Sequence, residues 1–167
     1  MASLTVSGFR RLIRRSQLLV ISAMLLACQA KPAGREAYSG DPVRPAIDGC
    51  TALVDEARQP CVRIDVFAEG EGDPVVRGEW AHVHYIVDVD GNQLDSSHDG
   101  KPLSFRVGES SDVIEGLHIG VEGMRVGERR RVVVPPRLGY RGQKVPGVPP
   151  EAELVFLVEL MQRRESF

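Results

Sequence analysis

Few residues in this sequence are of types that could carry chemistry. His82 and His84 lie two positions apart, so in a strand both imidazoles would share one face, where a metal ion could bind. No third ligand follows at a suitable spacing, which favours a surface pair, and no metal site is expected. The sequence has no G-x-S-x-G motif for an acyl-transfer nucleophile. The segment Gly70-Glu71-Gly72 lacks the flanking strand and helix of a phosphate-binding loop and is predicted to be a turn.

Two of the three cysteines, Cys50 and Cys61, enclose a short segment that ends at Pro60. The segment could form one or two helical turns before the proline stops them. If the chain is exported, both thiols lie where disulfides persist, and we predict a structural bridge between them. A metal-binding pair and a catalytic dithiol are the alternatives, although no C-x-x-C motif occurs and neither cysteine has a histidine nearby.

The third cysteine follows a segment with the pattern of a secretion signal. A basic stretch over 9–15, FRRLIRR, precedes the apolar run LLVISAMLLA over 18–27, which ends directly before Cys28. The junction resembles the bacterial lipobox. We therefore predict a signal peptide over 1–27, lipidation of Cys28, and export to a bacterial membrane. An ordinary signal peptide with a chance cysteine and a membrane-spanning anchor are the alternatives. No Asp follows Cys28 directly, so by resemblance to Gram-negative lipoproteins the outer membrane, facing the periplasm, is expected.

Length and charge indicate how many domains the chain has and which partners it can bind. The chain has 167 residues, 43% of them hydrophobic, which indicates one globular domain with an additional segment. Its net charge is −2, and because residues 1–27 carry four arginines and no acid, the remainder carries −6. A nucleic-acid partner is therefore not expected. The charged run Glu128 to Arg131 is predicted to be a solvated strand face.

The segment that follows Cys28 has the composition of a linker. Residues 29–48 contain three prolines, two glycines and no apolar periodicity. The predicted organisation has four parts: a signal peptide with lipobox over 1–27, a flexible tether over 28–48, a disulfide-closed extension over 49–60, and a folded domain over 61–167.

The folded domain has the period of two that is typical of strands. In residues 81–90, AHVHYIVDVD, the odd-numbered side chains share one face and the even-numbered ones the other. Asp90-Gly91-Asn92 predicts a tight turn. The run over 152–161 is apolar on both faces up to Glu159, which predicts a central strand. Strands are predicted over 62–66, 81–90, 103–107, 129–134 and 152–161.

One short helix fits the remaining pattern. Ile114, Leu117 and Val121 share a helical face, and Ser110 to Asp112 offer N-caps. Glycines inside this segment weaken it, and Gly123 or Gly127 can end it. The prediction is an α+β domain, in which a twisted antiparallel sheet of four to six strands wraps around one short helix.

From residue 61 to 161 the sequence resembles the FKBP-type peptidyl-prolyl isomerases. Each matching motif is short, but their joint order and spacing are specific. The motifs are Val83-His84-Tyr85; Gly91 to Leu94 with Asp95-Ser96-Ser97; Lys101 to Phe105; Val113 to Leu117; Gly120 to Met124 with Val126-Gly127-Glu128; Gly139-Tyr140; and Val148-Pro149-Pro150 leading to Leu154-Val155-Phe156.

The resemblance implies a site. The Ile114 N–H and the Tyr140 hydroxyl would bind substrate carbonyl groups, and Asp95 would lie beside the twisting amide as a buried acid. The residues implied to contact the substrate are Tyr85, Leu94, Leu103, Phe105, Val113, Leu117, Val148 and Phe156. Leu94, Leu103 and Leu117 stand where the family often has aromatic residues, which leaves the pocket apolar but with fewer ring faces.

The function that the resemblance implies is cis-trans isomerisation of X–Pro bonds in unfolded or extended polypeptides outside the cytoplasm, without a cofactor. The alternative is a non-catalytic peptide-binding or chaperone lipoprotein on the same fold. Dimerising relatives have a long helical N-terminal arm. Residues 29–60 are too short and too proline-rich for such an arm, so a monomer is expected.

Overall fold

The computed structural model of the chain describes residues 34–48, 61–109 and 113–165. Within them, seven strands form one antiparallel sheet in the order β1-β2-β6-β7-β3-β4, and β5 also pairs with β3. The strands are β1 Arg44–Asp48, β2 Arg63–Ala68, β3 Trp80–Val89, β4 Asn92–Ser96, β5 Leu103–Arg106, β6 Arg129–Val134 and β7 Leu154–Arg164. One helix, α1, spans Glu115–Val121, and 3₁₀ turns span Arg35–Tyr38 and Pro136–Leu138.

The period of two places the core on one face of the sheet. Odd-numbered residues of β3, among them Val83 and Val87, are buried in the main hydrophobic cluster with Phe156 of β7 and Leu117 of α1. β7 lies between β6 and β3, which confirms its predicted central position. Asp90 and Gly91 have φ angles of 49° and 79°, so the β3–β4 turn has positive φ at both positions. The predicted fold class is confirmed, with β1 as a strand beyond the expected maximum of six.

Two glycines let α1 approach the sheet closely. A Cβ atom at Gly116 would lie 2.2 Å from Val134 Cγ1, and one at Gly120 would lie 2.4 Å from Val132 Cγ1. The glycines therefore disfavour the isolated helix but permit its packing. The helix begins after Ile114, which is the N-cap and makes no side-chain capping bond, contrary to the expected capping by residues 110–112. It ends before Gly123, whose φ of 79° is typical of a residue that terminates a helix.

The prediction of a flexible tether is wrong for residues 34–48, which we call the strap. The strap forms a 3₁₀ turn and then β1, which pairs with β2 at the edge of the sheet. Tyr38 is 6% exposed and packs with Ile86 and Leu157 on the sheet face opposite α1. Arg35 donates two hydrogen bonds of 2.5 and 2.7 Å to the Asp88 carboxylate. Proline and glycine content indicated a linker, since composition does not show the contacts that the strap makes with strands far along the chain.

The Tyr38 side chain allows a test of the strap. Its hydroxyl is buried without a hydrogen-bond partner among the described residues. Tyr38→Phe should therefore leave stability unchanged or raise it, by up to about 1 kcal/mol. Tyr38→Ala should lower the free energy of unfolding by about 2 kcal/mol, since it removes the buried ring. Urea denaturation of both variants measures the difference; equal stabilities of the Ala and Phe variants would contradict docking of the strap.

Several predictions fall on residues that the structure does not describe. Cys28, Cys50 and the predicted signal peptide over 1–27 lie outside the described residues. Within the described part of the chain, no helix is both long and apolar enough to cross a membrane.

Candidate active site

The structure brings the predicted substrate-contacting residues to one region, between α1 and the inner face of the sheet. Phe105, Leu117 and Phe156 belong to the main hydrophobic cluster. The others are partly buried side chains packed against that cluster: Tyr85, Leu94, Leu103, Val113 and Val148. Of the predicted catalytic residues, Ile114 and Tyr140 also pack there.

The predicted substrate-contacting residues differ in burial: some are fully buried and others are half-buried. Phe105 and Leu117 are each 2% exposed, so they present little surface to a ligand. Phe105 packs edge-on against His118, with 5.1 Å between ring centroids. His118 Nδ1 in turn accepts a hydrogen bond from Gly108 N, which fixes α1 to the loop after β5. Phe105 and Leu117 therefore support the half-buried residues around them.

An aromatic pair and a carboxylate form one wall of the site. The Tyr85 and Phe156 rings lie 6.2 Å apart and are tilted by 52°. The Tyr85 hydroxyl donates a 2.5 Å hydrogen bond to Asp95 Oδ2. Burial raises the pKa of Tyr85 well above its usual range, and the Asp95 carboxylate and the Tyr140 phenol raise it further. Tyr85 therefore stays protonated and oriented at neutral pH, beside Asp95 and Tyr140.

The expectation that Asp95 is a buried acid is wrong. Asp95 lies on β4 and is exposed, although its carboxylate is bound on both oxygens. Oδ2 accepts from Tyr85, and Oδ1 accepts from Ser96 N at 2.8 Å. Because β4 is near the sheet edge, the carboxylate stays in contact with solvent and holds the phenol from outside. Through this bond Asp95 lies beside Tyr85.

The two proposed carbonyl-binding groups lie on different elements. Ile114 precedes the first helical turn, and its carbonyl accepts from Leu117 N at 3.1 Å. An N–H at the start of a helix has no intrahelical acceptor, which leaves the Ile114 N–H available. Tyr140 follows the 3₁₀ turn after β6 and is half-buried; its hydroxyl has no hydrogen-bond partner among the described residues. Both groups can therefore donate to a substrate.

Sequence reasoning missed the residues that hold the Tyr85 backbone. Tyr85 N donates to Ser97 Oγ at 2.9 Å, and Ser97 N donates to Tyr85 O at 3.0 Å. The His98 ring lies 5.6 Å from the His84 ring, and its Nδ1 is 3.3 Å from Tyr85 O. Burial lowers the pKa of His84, and the neighbouring His98 lowers it further. His84 and His98 thus serve as hydrogen-bonding supports of the aromatic wall.

The loop before β7 closes another side of the site. Val145 and Val148 form a bridge across Pro146 and Gly147, with Val148 N donating to Val145 O at 3.1 Å. Gly147 has a φ of 79°, which suits the third position of a type II turn. A Cβ there would lie 3.1 Å from Leu94 Cδ1, so the turn contacts β4.

The histidines considered as metal ligands have other partners. His82 Nδ1 lies 2.6 Å from Ser104 Oγ, and His84 Nδ1 lies 3.1 Å from Ser97 Oγ. Across the described residues, no cluster of three or more His, Cys, Asp or Glu side chains is arranged to hold a metal ion.

Comparison with known proteins gives matches to one family. The model of the FKBP-type peptidyl-prolyl cis-trans isomerase family matches residues 72–161. FK506-binding protein 3 of Yarrowia lipolytica is 38% identical over 110 residues, which cover 65% of this chain and 27% of that protein. Peptidyl-prolyl cis-trans isomerase FKBP10 of Bos taurus is 47% identical over 91 residues, which cover 53% of this chain and 15% of that protein.

A solved structure is also similar. The crystal structure of FkpA from Escherichia coli superposes with a TM-score of 0.56 at 34% sequence identity, covering 62% of this chain and 48% of that chain. The chain therefore matches less than half the length of each of these three relatives.

Proposed function

The chain belongs to the FKBP-type peptidyl-prolyl cis-trans isomerase family, and from this we propose that it catalyses rotation about X–Pro bonds in extended or unfolded polypeptides. One observation carries the proposal. Among the described residues, the Ile114 N–H and the Tyr140 hydroxyl have no hydrogen-bond partner, and both lie beside an apolar wall formed by Tyr85 and Phe156.

These residues suit a reaction that needs no nucleophile. Rotation about the X–Pro bond breaks amide resonance, and the twisted amide is less dipolar than the planar one. An apolar pocket therefore disfavours the planar ground state, while donors placed at the twisted carbonyl stabilise the transition state. Val113 and Ile114 border the space for the proline ring, and Tyr85 is held as its wall by Asp95. No metal or cofactor takes part in this mechanism.

Replacing the Tyr140 hydroxyl tests the role of that donor. Tyr140→Phe should lower kcat/KM by about three- to tenfold, the effect of one lost hydrogen bond, without unfolding the domain. A proline-limited refolding assay measures the rate, and circular dichroism checks the fold. Lys144→Ala, an exposed change in the following loop, is the control and should keep the wild-type rate. Wild-type kcat/KM in Tyr140→Phe would remove Tyr140 from the mechanism.

We further propose that the chain acts outside the cytoplasm as a monomer, attached through lipid on Cys28 to the outer membrane. The sequence pattern over 9–28 supports export and lipidation. Intact-mass analysis of the protein from a bacterial host should show a lipid adduct that is lost in Cys28→Ser. Unmodified, uncleaved protein would contradict the anchor. Sedimentation of residues 32–167, which form one compact unit, tests the monomer; a dimer would contradict it.

The Cys50–Cys61 bridge is part of the same proposal. Its support is that Cys61 is a disulfide-bonded cysteine. Thiol titration of unreduced protein made in an oxidising compartment should find no free thiol at either position. Reduction should lower stability by about 2–3 kcal/mol and leave isomerase activity largely intact, because the site lies on other elements. Two reactive thiols would refute the bridge.

A further inference from the structure

The residues that directly follow the two proposed donors form an ion pair. Glu115 follows Ile114, and Arg141 follows Tyr140; the Arg141 guanidinium donates to the Glu115 carboxylate. We call Glu115 and Arg141 the rim pair. They are separated by 26 positions in the sequence, and they connect the first residue of α1 to the loop after β6.

The backbone at each end of the rim pair is fixed. Arg141 has a φ of 52°, which is uncommon for a residue with a Cβ, and its N–H donates to Pro136 O at 3.2 Å. Gln143 N donates to Tyr140 O at 2.9 Å, which closes the turn around Tyr140. Glu115 starts α1, whose packing on Val134 fixes its direction. The side-chain ion pair therefore joins two rigid pieces, each of which bears one donor.

The rim pair lines a cavity. The cavity has a volume of about 670 Å³, in the size range of ligand clefts. Glu115, Arg141, Pro136, Pro150 and Glu151 are among the residues that line it. A smaller cavity beside it shares Pro136 and Pro150 and reaches Tyr140 and Val148 of the proposed site.

We propose that Glu115 and Arg141 are positioning residues, which hold the Ile114 N–H and the Tyr140 hydroxyl at the separation needed to bind the twisted substrate. This inference rests on the proposed isomerase function. The pair is half-exposed, with side chains 49% and 64% accessible, so its contribution to global stability is small. Its contribution to the rate arises because two donors on separate elements must meet one substrate at once.

Charge removal and charge reversal together test the rim pair. At low salt, Glu115→Gln and Arg141→Gln should each lower kcat for a short proline-containing peptide by about two- to fivefold with little change in KM. The double neutral variant should be no slower than either single variant. The reversed variant, Glu115→Arg with Arg141→Glu, should recover most of the rate. At 1 M NaCl, screening should reduce the effect of each single variant to less than about twofold.

Glu69→Gln is the matched control. Glu69 Oε1 lies 2.7 Å from Nε of Arg44 in an exposed ion pair beside β1, at the edge of the sheet opposite β4. The substitution of Glu69 should leave kcat unchanged. Wild-type kcat in both single variants, or a reversed variant no faster than the singles, would overturn the inference. An effect seen with long substrates but not with the short peptide would also overturn it, because that would make the pair a contact for substrate. An inactive wild-type protein would instead refute the proposed function.

Discussion

Gly116→Ala should lower the free energy of unfolding by about 3 kcal/mol and reduce isomerase activity with it. In an exposed helix the same change stabilises by up to about 1 kcal/mol, so the sign of the effect is diagnostic. Here the new Cβ would lie 2.2 Å from Val134 Cγ1, and a β-branched side chain next to it cannot simply rotate away. Either α1 or β6 must move, which is the penalty of overpacking. Movement of α1 would displace Ile114 and Leu117.

A second substitution tests whether crowding against Val134 causes the destabilisation. Gly116→Ala combined with Val134→Ala should be more stable than the sum of the two single effects predicts, because the smaller residue on β6 makes room for the new methyl group. Urea denaturation of the three variants and the wild type gives this coupling. Gly116→Ala at or above wild-type stability would contradict the close contact between α1 and β6.

Glu128→Gln should lower the free energy of unfolding by about 3–5 kcal/mol, because it leaves a buried cation without its counter-charge. Glu128 is 1% exposed and Arg130 is 6% exposed. Glu128 Oε1 accepts from Arg130 Nε at 2.8 Å, and Oε2 accepts from Arg125 N at 2.9 Å. Burial lowers the pKa of Arg130, and the Glu128 carboxylate opposes this shift. The substitution keeps the shape of the side chain and removes its charge.

The consequence extends to α1, because Arg130 also holds the end of that helix. Its guanidinium donates to Gly120 O at 2.9 Å and to Glu122 O at 3.0 Å. Glu69→Gln, which removes an exposed partner of Arg44, is the control and should cost less than about 1 kcal/mol. Chemical denaturation of both variants measures the free energy of unfolding. A value for Glu128→Gln within about 1 kcal/mol of wild type would show that the buried ion pair does not stabilise the fold.

The sheet could be predicted from the sequence because its signals are local. Alternation in β3 identified which side chains share a face, and the Asp90-Gly91 dipeptide identified the turn that follows. The strap could not be predicted in this way. Tyr38 is a single buried ring in a segment rich in proline and glycine, and its partners Ile86 and Leu157 lie on strands far along the chain.

The burial of charged residues at β6 could not be predicted from the sequence either. The prediction that the run from Glu128 to Arg131 is a solvated face is wrong for Glu128 and Arg130, which are both buried; Arg130 shares the inward face of β6 with Val132. Alternation gave the right direction for its side chain, but composition does not show that Glu128 neutralises it there. In the candidate site, the motifs identified residues that lie together, whereas the ion pair of Glu115 with Arg141 depends on the tertiary fold.

A proline-limited refolding assay measures directly whether this domain isomerises X–Pro bonds. The protein to use is residues 32–167, which form one compact unit. Micromolar wild-type protein should accelerate the slow refolding phase of a substrate protein in proportion to its concentration, and the Tyr140→Phe variant should do so about three- to tenfold less. A folded wild-type domain that leaves this phase unchanged would contradict isomerase activity and favour a peptide-binding module without catalysis.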